Sequence, residues 1–179
     1  MQLNYFGSVR LILAVLPGMR GRQRGHIVNV SSVGVQAAVP RFSAYVASKA
    51  ALDAFSECAQ AEVHADGVRF TTVYMPLVRT PMIEPTRIYD HLPAIGPDEA
   101  ADMLCDAITY RPRHLGTVVG TAAAMSNAVA PWAADAVRGL AYQVFPESSA
   151  ARGAATSGDE RPTNPLAPVL SRAFPGVHW

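Results

Sequence analysis

Tyr45 and Lys49 are the two side chains whose types and spacing suggest proton transfer. They lie four residues apart, which on a helix places them on one face about one turn apart. Lys49 is the single lysine of the chain, because the other basic side chains are all arginine. Lysine is a compact cation that sits readily beside a phenol. Such a cation favours the phenolate, so Tyr45 is predicted to exchange a proton with a substrate oxygen, although the pair alone also fits a packed ring and a solvated charge.

A strand, a long helix and a second strand are predicted to position this pair. Residues 25–32 (GHIVNVSS) and 68–74 (VRFTTVY) are rich in β-branched side chains and read as strands. Residues 43–65 read as a helix that Gly67 ends. This order is typical of a βαβ unit with parallel strands, so we predict an α/β fold. Ser32 then lies at the carboxyl end of a strand, where open α/β sheets bind their ligands.

Three motifs in order resemble the short-chain dehydrogenase/reductase family. They are NVSS at 29–32, the Tyr45-Val-Ala-Ser-Lys49 helix start and Pro76-Leu-Val-Arg-Thr80 after the second strand. Each motif alone is weak, but their order and placement together are specific. The resemblance implies a Rossmann-like sheet and hydride transfer between a nicotinamide and a carbonyl or alcohol carbon.

The resemblance also implies roles for individual residues. Tyr45 matches the proton donor or acceptor, and Lys49 matches the cation that favours its phenolate and holds the nicotinamide ribose. Ser32 matches the hydroxyl that orients the substrate oxygen, and Asn4 matches the residue that keeps a water in contact with the lysine. Thr80 matches the segment that grips the carboxamide. The implied catalytic residues are Asn4, Ser32, Tyr45 and Lys49, and the implied cofactor-binding residues are Tyr45, Lys49, Pro76, Val78 and Thr80.

Two departures from the family pattern limit what is expected of the chain. Leu77 stands where the family usually has glycine after the proline, which removes the freedom of positive φ at that turn. The glycine-rich turn that holds the cofactor pyrophosphate has no counterpart in the sequence. We therefore expect the chain to form the C-terminal half of a doubly wound parallel sheet. The missing first half would be explained by a fragment, by a misplaced start codon or by a short product without catalysis. Its first strand is expected to be an exposed edge.

The remaining chain predicts a helical extension and a tail. The apolar residues between 82 and 92 fit either a mobile flap or a packed loop. A helix is predicted from Pro97 to Ile108 and a last strand at 115–120. A further helix is predicted over 121–145, broken at Pro131. The expected organisation is 1–121 as the C-terminal portion of an NAD(P)-binding domain, 122–146 as the helical extension and 147–179 as a mostly disordered tail.

Composition excludes several other classes of protein. The chain has 179 residues, is half hydrophobic and carries a net charge of +1, so a nucleic-acid partner has no electrostatic support. The five histidines lack ligand partners at metal-binding spacing, so no metal site is expected. Cys58 and Cys105 are predicted to be reduced, buried thiols of a cytoplasmic protein. The uncharged run between His114 and Asp135 has the length of a membrane span, but its small and polar residues favour a helix docked on the domain. Peripheral contact with a membrane surface remains as an alternative.

Further segments narrow the resemblance to fatty acyl-CoA reductases. They are MPLVRTPMI at 75–83, YRPR at 110–113 and FPESS at 145–149. This branch implies a lipid-like acyl or aldehyde substrate and favours NADPH over NADH. Homo-oligomers are expected through helices 1–19 and 43–65. Two alternatives remain: a non-catalytic helper that pairs with an intact homologue through the Ala-rich helix, and a membrane-associated helical protein.

Overall fold

The computed structural model describes residues 1–81, 83 and 94–144. A π-helical segment, Gln2–Gly7, leads into the first α-helix, and a 3-10 turn, His64–Asp66, follows the third. The helices are α1 (Ser8–Gly21), α2 (Val33–Ala37), α3 (Ser43–Val63), α4 (Pro97–Tyr110), α5 (Val118–Val129) and α6 (Pro131–Val144). The strands are β1 (Gly25–Ser32), β2 (Val68–Met75) and β3 (His114–Leu115). The predicted flap, apart from residue 83, and the predicted tail lie outside the described residues.

The three strands form one parallel sheet in the order β1-β2-β3. The register pairs Gly25 with Val68 and Ser32 with Met75, so β1 and β2 begin and end together. Helix α3 connects them and packs against both. The α/β prediction is therefore confirmed, with β1 as an edge strand within the described part of the chain.

The hydrophobic core lies between α1, α3 and the sheet. Its buried members are Ile12, Ile27, Leu52, Ala59, Val63, Val68 and Phe70. The strand β2 runs through the centre, and Val73 and Thr71 on it are fully buried. Burial of the Thr71 hydroxyl is compensated because it donates to the Pro112 carbonyl at 2.6 Å. The core thus fixes α3 against β1 and β2.

Helix α1 is less buried than its sequence predicts. Apolar residues nearly encircle it, but Ile12 is its single buried residue. Leu11 and Leu13 remain 66% and 55% exposed because α1 packs on one side, against α3 and β1. An apolar helix surface on the described part of the chain is therefore uncovered.

The segment after α4 corrects one prediction and confirms another. The expected strand over 115–120 is wrong, because β3 ends at Leu115 and α5 begins at Val118. The Thr117 hydroxyl accepts the Gly120 N–H at 3.1 Å and so starts a helix there. The predicted break at Pro131 is confirmed, since α6 begins at this residue. The expected boundary at residue 121 falls inside α5.

Helices α5 and α6 dock on the sheet domain through close contacts. Gly120 faces α2, where an added Cβ would lie 2.9 Å from Val33 Cγ2, so only glycine permits this approach. The Arg41 guanidinium lies 4.4 Å from the ring centre of Tyr142 on α6. Within the described ranges no helix is long and apolar enough to cross a bilayer.

Both cysteines differ from their predicted burial. Cys58 on α3 and Cys105 on α4 are free thiols, but both are exposed. Their helices each bury one side, and the helical periodicity turns these two positions outward. The part of the prediction that placed them in the interior is wrong.

Candidate active site

Lys49 is held at the edge of the sheet by a backbone carbonyl. Its Nζ donates a hydrogen bond to the Val30 carbonyl of β1 at 2.8 Å. Helix α3 half buries the ammonium, and this burial lowers the pKa of Lys49 because water no longer solvates the charge. The carboxylate of Asp53 acts in the opposite direction and raises the same pKa. Lys49 is thus a fixed cation whose partly buried surroundings disfavour its charged form.

A hydrogen-bonded chain links Asn4 to the backbone of Tyr45. Asn4 Nδ2 donates to Ser48 Oγ at 3.1 Å, and Ser48 Oγ donates to the Tyr45 carbonyl at 2.7 Å. Asn4 lies in the π-helical segment, a distortion that often marks functional positions. Ser48 is 2% exposed, so this link lies inside the protein. It ties the start of the chain to the first turn of α3.

Ser32 is the last residue of β1 and caps α2. Its Oγ accepts the Gly34 N–H at 3.1 Å, which satisfies one of the free donors at the start of that helix. Within the described part of the chain, no acceptor takes its hydroxyl hydrogen. Ser32 is therefore fixed in place and keeps a donor for another group.

Asn4 and Lys49 line one cavity of about 490 Å³ beside β1. Its other walls are mostly apolar and include Leu3, Leu11, Ile12, Val15, Ile27 and Leu52. The Tyr45 side chain is 41% exposed and is not part of this wall. The cavity thus combines one cation, the amides of Asn4 and Asn29 and the Ser8 hydroxyl with a mostly apolar lining.

The segment after β2 leaves the sheet at the same end as Ser32, because Ser32 pairs with Met75 and Pro76 follows directly. Arg79 N donates to the Ile95 carbonyl and Ile95 N donates to the Leu77 carbonyl, each at 2.9 Å, so the segment is anchored beside α4. Val78 bridges to Ile95 within this arrangement. Among the described residues, no hydrogen bond joins Thr80 to Tyr45 or Lys49. The structure brings this segment to the correct edge and not into contact with the pair.

Sequence reasoning missed two buried polar residues next to the site. Asn29 Nδ2 donates to Ser56 Oγ at 2.7 Å, which fastens β1 to α3 just before Val30. Asp53 lies one turn after Lys49 on α3. The signal for Asn29 was its position on the inward-facing side of β1, two residues after buried Ile27. The signal for Asp53 was its spacing of four residues from the single lysine.

A second polar group continues from Asp53 towards the surface. Burial and the carboxylates of Asp53 and Glu57 raise the pKa of Tyr74 to about 12. The Tyr74 and His114 rings lie 5.9 Å apart, and His114 Nε2 lies 2.8 Å from Glu57 Oε1. The Arg113 guanidinium bonded to Glu57 lowers the pKa of that carboxyl. Tyr74 is therefore protonated at neutral pH and is a hydrogen-bond donor, not a base.

The fold and the motif positions define the class of this protein. Residues 1–89 match the family model described as short chain dehydrogenase. The helix that carries Tyr45 and Lys49 packs against two parallel strands, which end at Ser32 and Met75. The chain belongs to the short-chain dehydrogenase/reductase family.

Named relatives agree with this assignment. An uncharacterized oxidoreductase of Mycobacterium tuberculosis is 53% identical over 100% of this chain and 52% of its own length. The fatty acyl-CoA reductase of Acinetobacter baylyi is 49% identical over 100% of this chain and 59% of its own length. A short chain dehydrogenase from Burkholderia cenocepacia, solved in complex with NADP, is 27% identical with a TM-score of 0.67, over 77% of this chain and 56% of that one. The chain thus spans little more than half the length of these curated relatives.

Proposed function

We propose that the protein is a nicotinamide-dependent oxidoreductase that reduces a carbonyl group or oxidises the corresponding alcohol. One observation carries this proposal: the Lys49 ammonium is fixed on the Val30 carbonyl at 2.8 Å, at the wall of a cavity and one helical turn from Tyr45. An ammonium held by a backbone carbonyl does not drift into solvent. It remains available to a phenolate and to ligand hydroxyls.

The donors fit the nicotinamide riboside part of NAD or NADP. Lys49 retains two N–H bonds beyond the one given to Val30, which suits a pair of ribose hydroxyls. Pro76, Val78 and Thr80 follow β2 at the same edge of the sheet and are assigned to the carboxamide end. A bound cofactor of this kind supplies or removes a hydride at the substrate carbon. We favour NADPH, in keeping with the NADP held by the Burkholderia cenocepacia relative.

The chain's own residues handle the proton. In the reducing direction Tyr45 donates its phenolic proton to the carbonyl oxygen, and in the reverse direction it accepts that proton. The charge of Lys49 stabilises the phenolate left behind. Ser32 donates its uncommitted hydroxyl hydrogen to the same oxygen. Asn4 acts on the lysine side, where it orients Ser48 and, by the family resemblance, a water.

We propose a lipid-like acyl or aldehyde substrate, which the apolar cavity wall and the similarity to the fatty acyl-CoA reductase support. The test is an absorbance assay of nicotinamide oxidation with aldehydes of increasing chain length, with acyl-CoA thioesters and with each nicotinamide in turn. We expect kcat/KM to rise with chain length, because each buried methylene adds about 0.8 kcal/mol of binding. Turnover that is equal for short and long chains would contradict the lipid assignment, and no turnover with any carbonyl would contradict the function.

We assign the described residues to two units. Residues 1–121 are proposed as the nicotinamide-binding domain, and the segment 122–146 as an extension whose Tyr142 docks on Arg41. Residues 147–179 are proposed as a tail. The two free cysteines fit a reducing compartment such as the cytoplasm.

We propose that copies of the protein associate through α1 and α3. The uncovered Leu11 and Leu13 on α1 support this, together with small exposed residues one or two turns apart on α3 at Ala47, Ala54 and Ala61. Small side chains let helices approach closely, and the apolar α1 surface gains from burial. This is also the surface that the family resemblance implies.

Replacing Ala54 by Arg is expected to shift the protein to monomers, because a guanidinium at a close helix contact prevents the approach. The measurement is sedimentation velocity at several concentrations. Ala101→Arg, an exposed alanine on α4, is the matched control and should leave the assembly unchanged. An unchanged sedimentation coefficient for Ala54→Arg would contradict this interface.

We also propose peripheral contact with a membrane surface through α5 and α6. Large apolar side chains there are more than half exposed: Val118, Met125, Val129, Trp132, Val137 and Leu140. Replacing both Val129 and Trp132 by Ser should reduce co-flotation with phosphatidylglycerol vesicles several-fold. Tyr110→Ser, at an equally exposed aromatic on α4, is the control. Flotation that is unaffected by the double substitution, or absent in the parent protein, would refute this contact.

A further inference from the structure

Asp53 is a buried carboxylate without the partners that such a group needs. Both of its oxygens are shut off from solvent, and neither makes a hydrogen bond of regular geometry within the described residues. The hydroxyls of Ser31 on β1 and Tyr74 on β2 face it from the sheet, and Ser31 Oγ is itself without a regular partner. Helix α3 therefore carries a charge into a site that does not neutralise it fully.

The charged groups around Asp53 come from two elements, α3 and β3. Lys49 lies one turn earlier on α3 and Glu57 one turn later, and His114 approaches from β3. Burial is the largest influence and raises the pKa of Asp53, while Ser31, Tyr74, His114 and Lys49 act against it. Among the described residues, no ion pair within 4 Å joins Asp53 to a cation. The charge of Lys49 therefore lowers the pKa of Asp53 without direct contact.

The sign of this shift means that ionised Asp53 weakens the fold. A carboxyl whose pKa is raised on folding favours the native state at low pH, and that contribution is lost as the pH rises through the folded pKa. At neutral pH the buried carboxylate is thus a cost. Residues that lower stability without a packing benefit are typical of functional sites.

We propose that Asp53 is a positioning residue that acts through Lys49 and keeps its ammonium charged, one helical turn from Tyr45, although its surroundings are partly desolvated. The role in turnover rests on the function proposed above, while the effect on Lys49 does not. Burial lowers the pKa of Lys49 and Asp53 raises it, so the two influences oppose each other at a single group. The ionised Asp53 carboxylate thus lowers the stability of the fold and favours the charged form of Lys49.

The single lysine makes a direct test feasible. Protein labelled with 13C at the lysine ε-carbon gives one lysine signal, whose chemical shift follows the charge of Lys49 as the pH is raised. In Asp53→Asn we expect the midpoint of this titration to move to lower pH, because the carboxylate no longer favours the charged form. Glu62→Gln removes an exposed carboxylate from the same helix and should leave the midpoint in place.

Two further measurements separate a positioning role from a structural one. Asp53→Asn should unfold at the same or a higher temperature at pH 7, and the alkaline limb of its kcat profile should move to lower pH with KM nearly unchanged. An unmoved Lys49 midpoint, or a variant that melts lower or does not fold, overturns the proposal. A moved midpoint in a protein without turnover upholds the link between Asp53 and Lys49 and refutes the proposed function instead.

Discussion

Replacing Tyr45 by Phe should lower kcat by about two to four orders of magnitude, the usual contribution of a positioned general acid or base. The substitution removes only the hydroxyl, and the 41% exposed ring leaves little packing to lose. The backbone carbonyl that Ser48 bonds is unchanged, so α3 should start as before. The measurement is the rate of nicotinamide oxidation with the best aldehyde.

Tyr110→Phe is the matched control for this change. Tyr110 lies on α4 and is 76% exposed. The substitution removes the same hydroxyl outside the candidate site, so turnover should be unaffected. Thermal unfolding of both variants should match that of the parent protein. Turnover of Tyr45→Phe within a few-fold of the parent would show that the proton comes from elsewhere, and the proposed role of Tyr45 would then be wrong.

Replacing Gly67 by Ala should cause a large loss of stability. Gly67 has φ of +68°, a left-handed conformation that side chains disfavour, and an added Cβ would collide with the backbone carbonyl oxygen of Gln23. That oxygen belongs to the backbone of the turn between α1 and β1, so it cannot move away as the end of a flexible side chain could. We expect the free energy of unfolding to fall by about 3 kcal/mol.

Denaturant unfolding followed by circular dichroism measures this loss. Gly21→Ala is the control, since no heavy atom lies within 4 Å of the new methyl group. There we expect a change between zero and a gain of about 1 kcal/mol, because alanine favours a helix more than glycine does. Equal stability of the two variants would contradict the described turn.

The sequence predicts the elements that local chemistry defines. Strand β1 has its predicted bounds because Gly25 and the Val- and Ile-rich run that follows specify a strand within a few residues. Helix α3 and strand β2 are also predicted from the sequence, because Gly67 in its left-handed conformation separates the helix from the strand. The short strand β3 does not follow, because the Thr117 cap outweighs the β-propensity of the valines after it.

Contacts between distant residues lie beyond what local pattern predicts. The sequence singles out Asn4 and Lys49 but not the hydrogen bond from Asn4 to Ser48 or the Val30 carbonyl that holds the ammonium. Both depend on how α3 lies across β1, which is decided by the packing of the whole core. The exposure of Cys58 has the same origin, since helical periodicity does not tell which side of α3 faces the sheet.

The short helix α2 connects Ser32 to the C-terminal helices. Ser32 caps α2, and α2 in turn rests on α5, where Gly120 approaches Val33 and Gln36 too closely for any side chain to intervene. A helix of five residues transmits displacement along its length because it is too short to bend. We therefore expect a displacement of α5 to act on α2, the helix whose first turn the Ser32 hydroxyl caps.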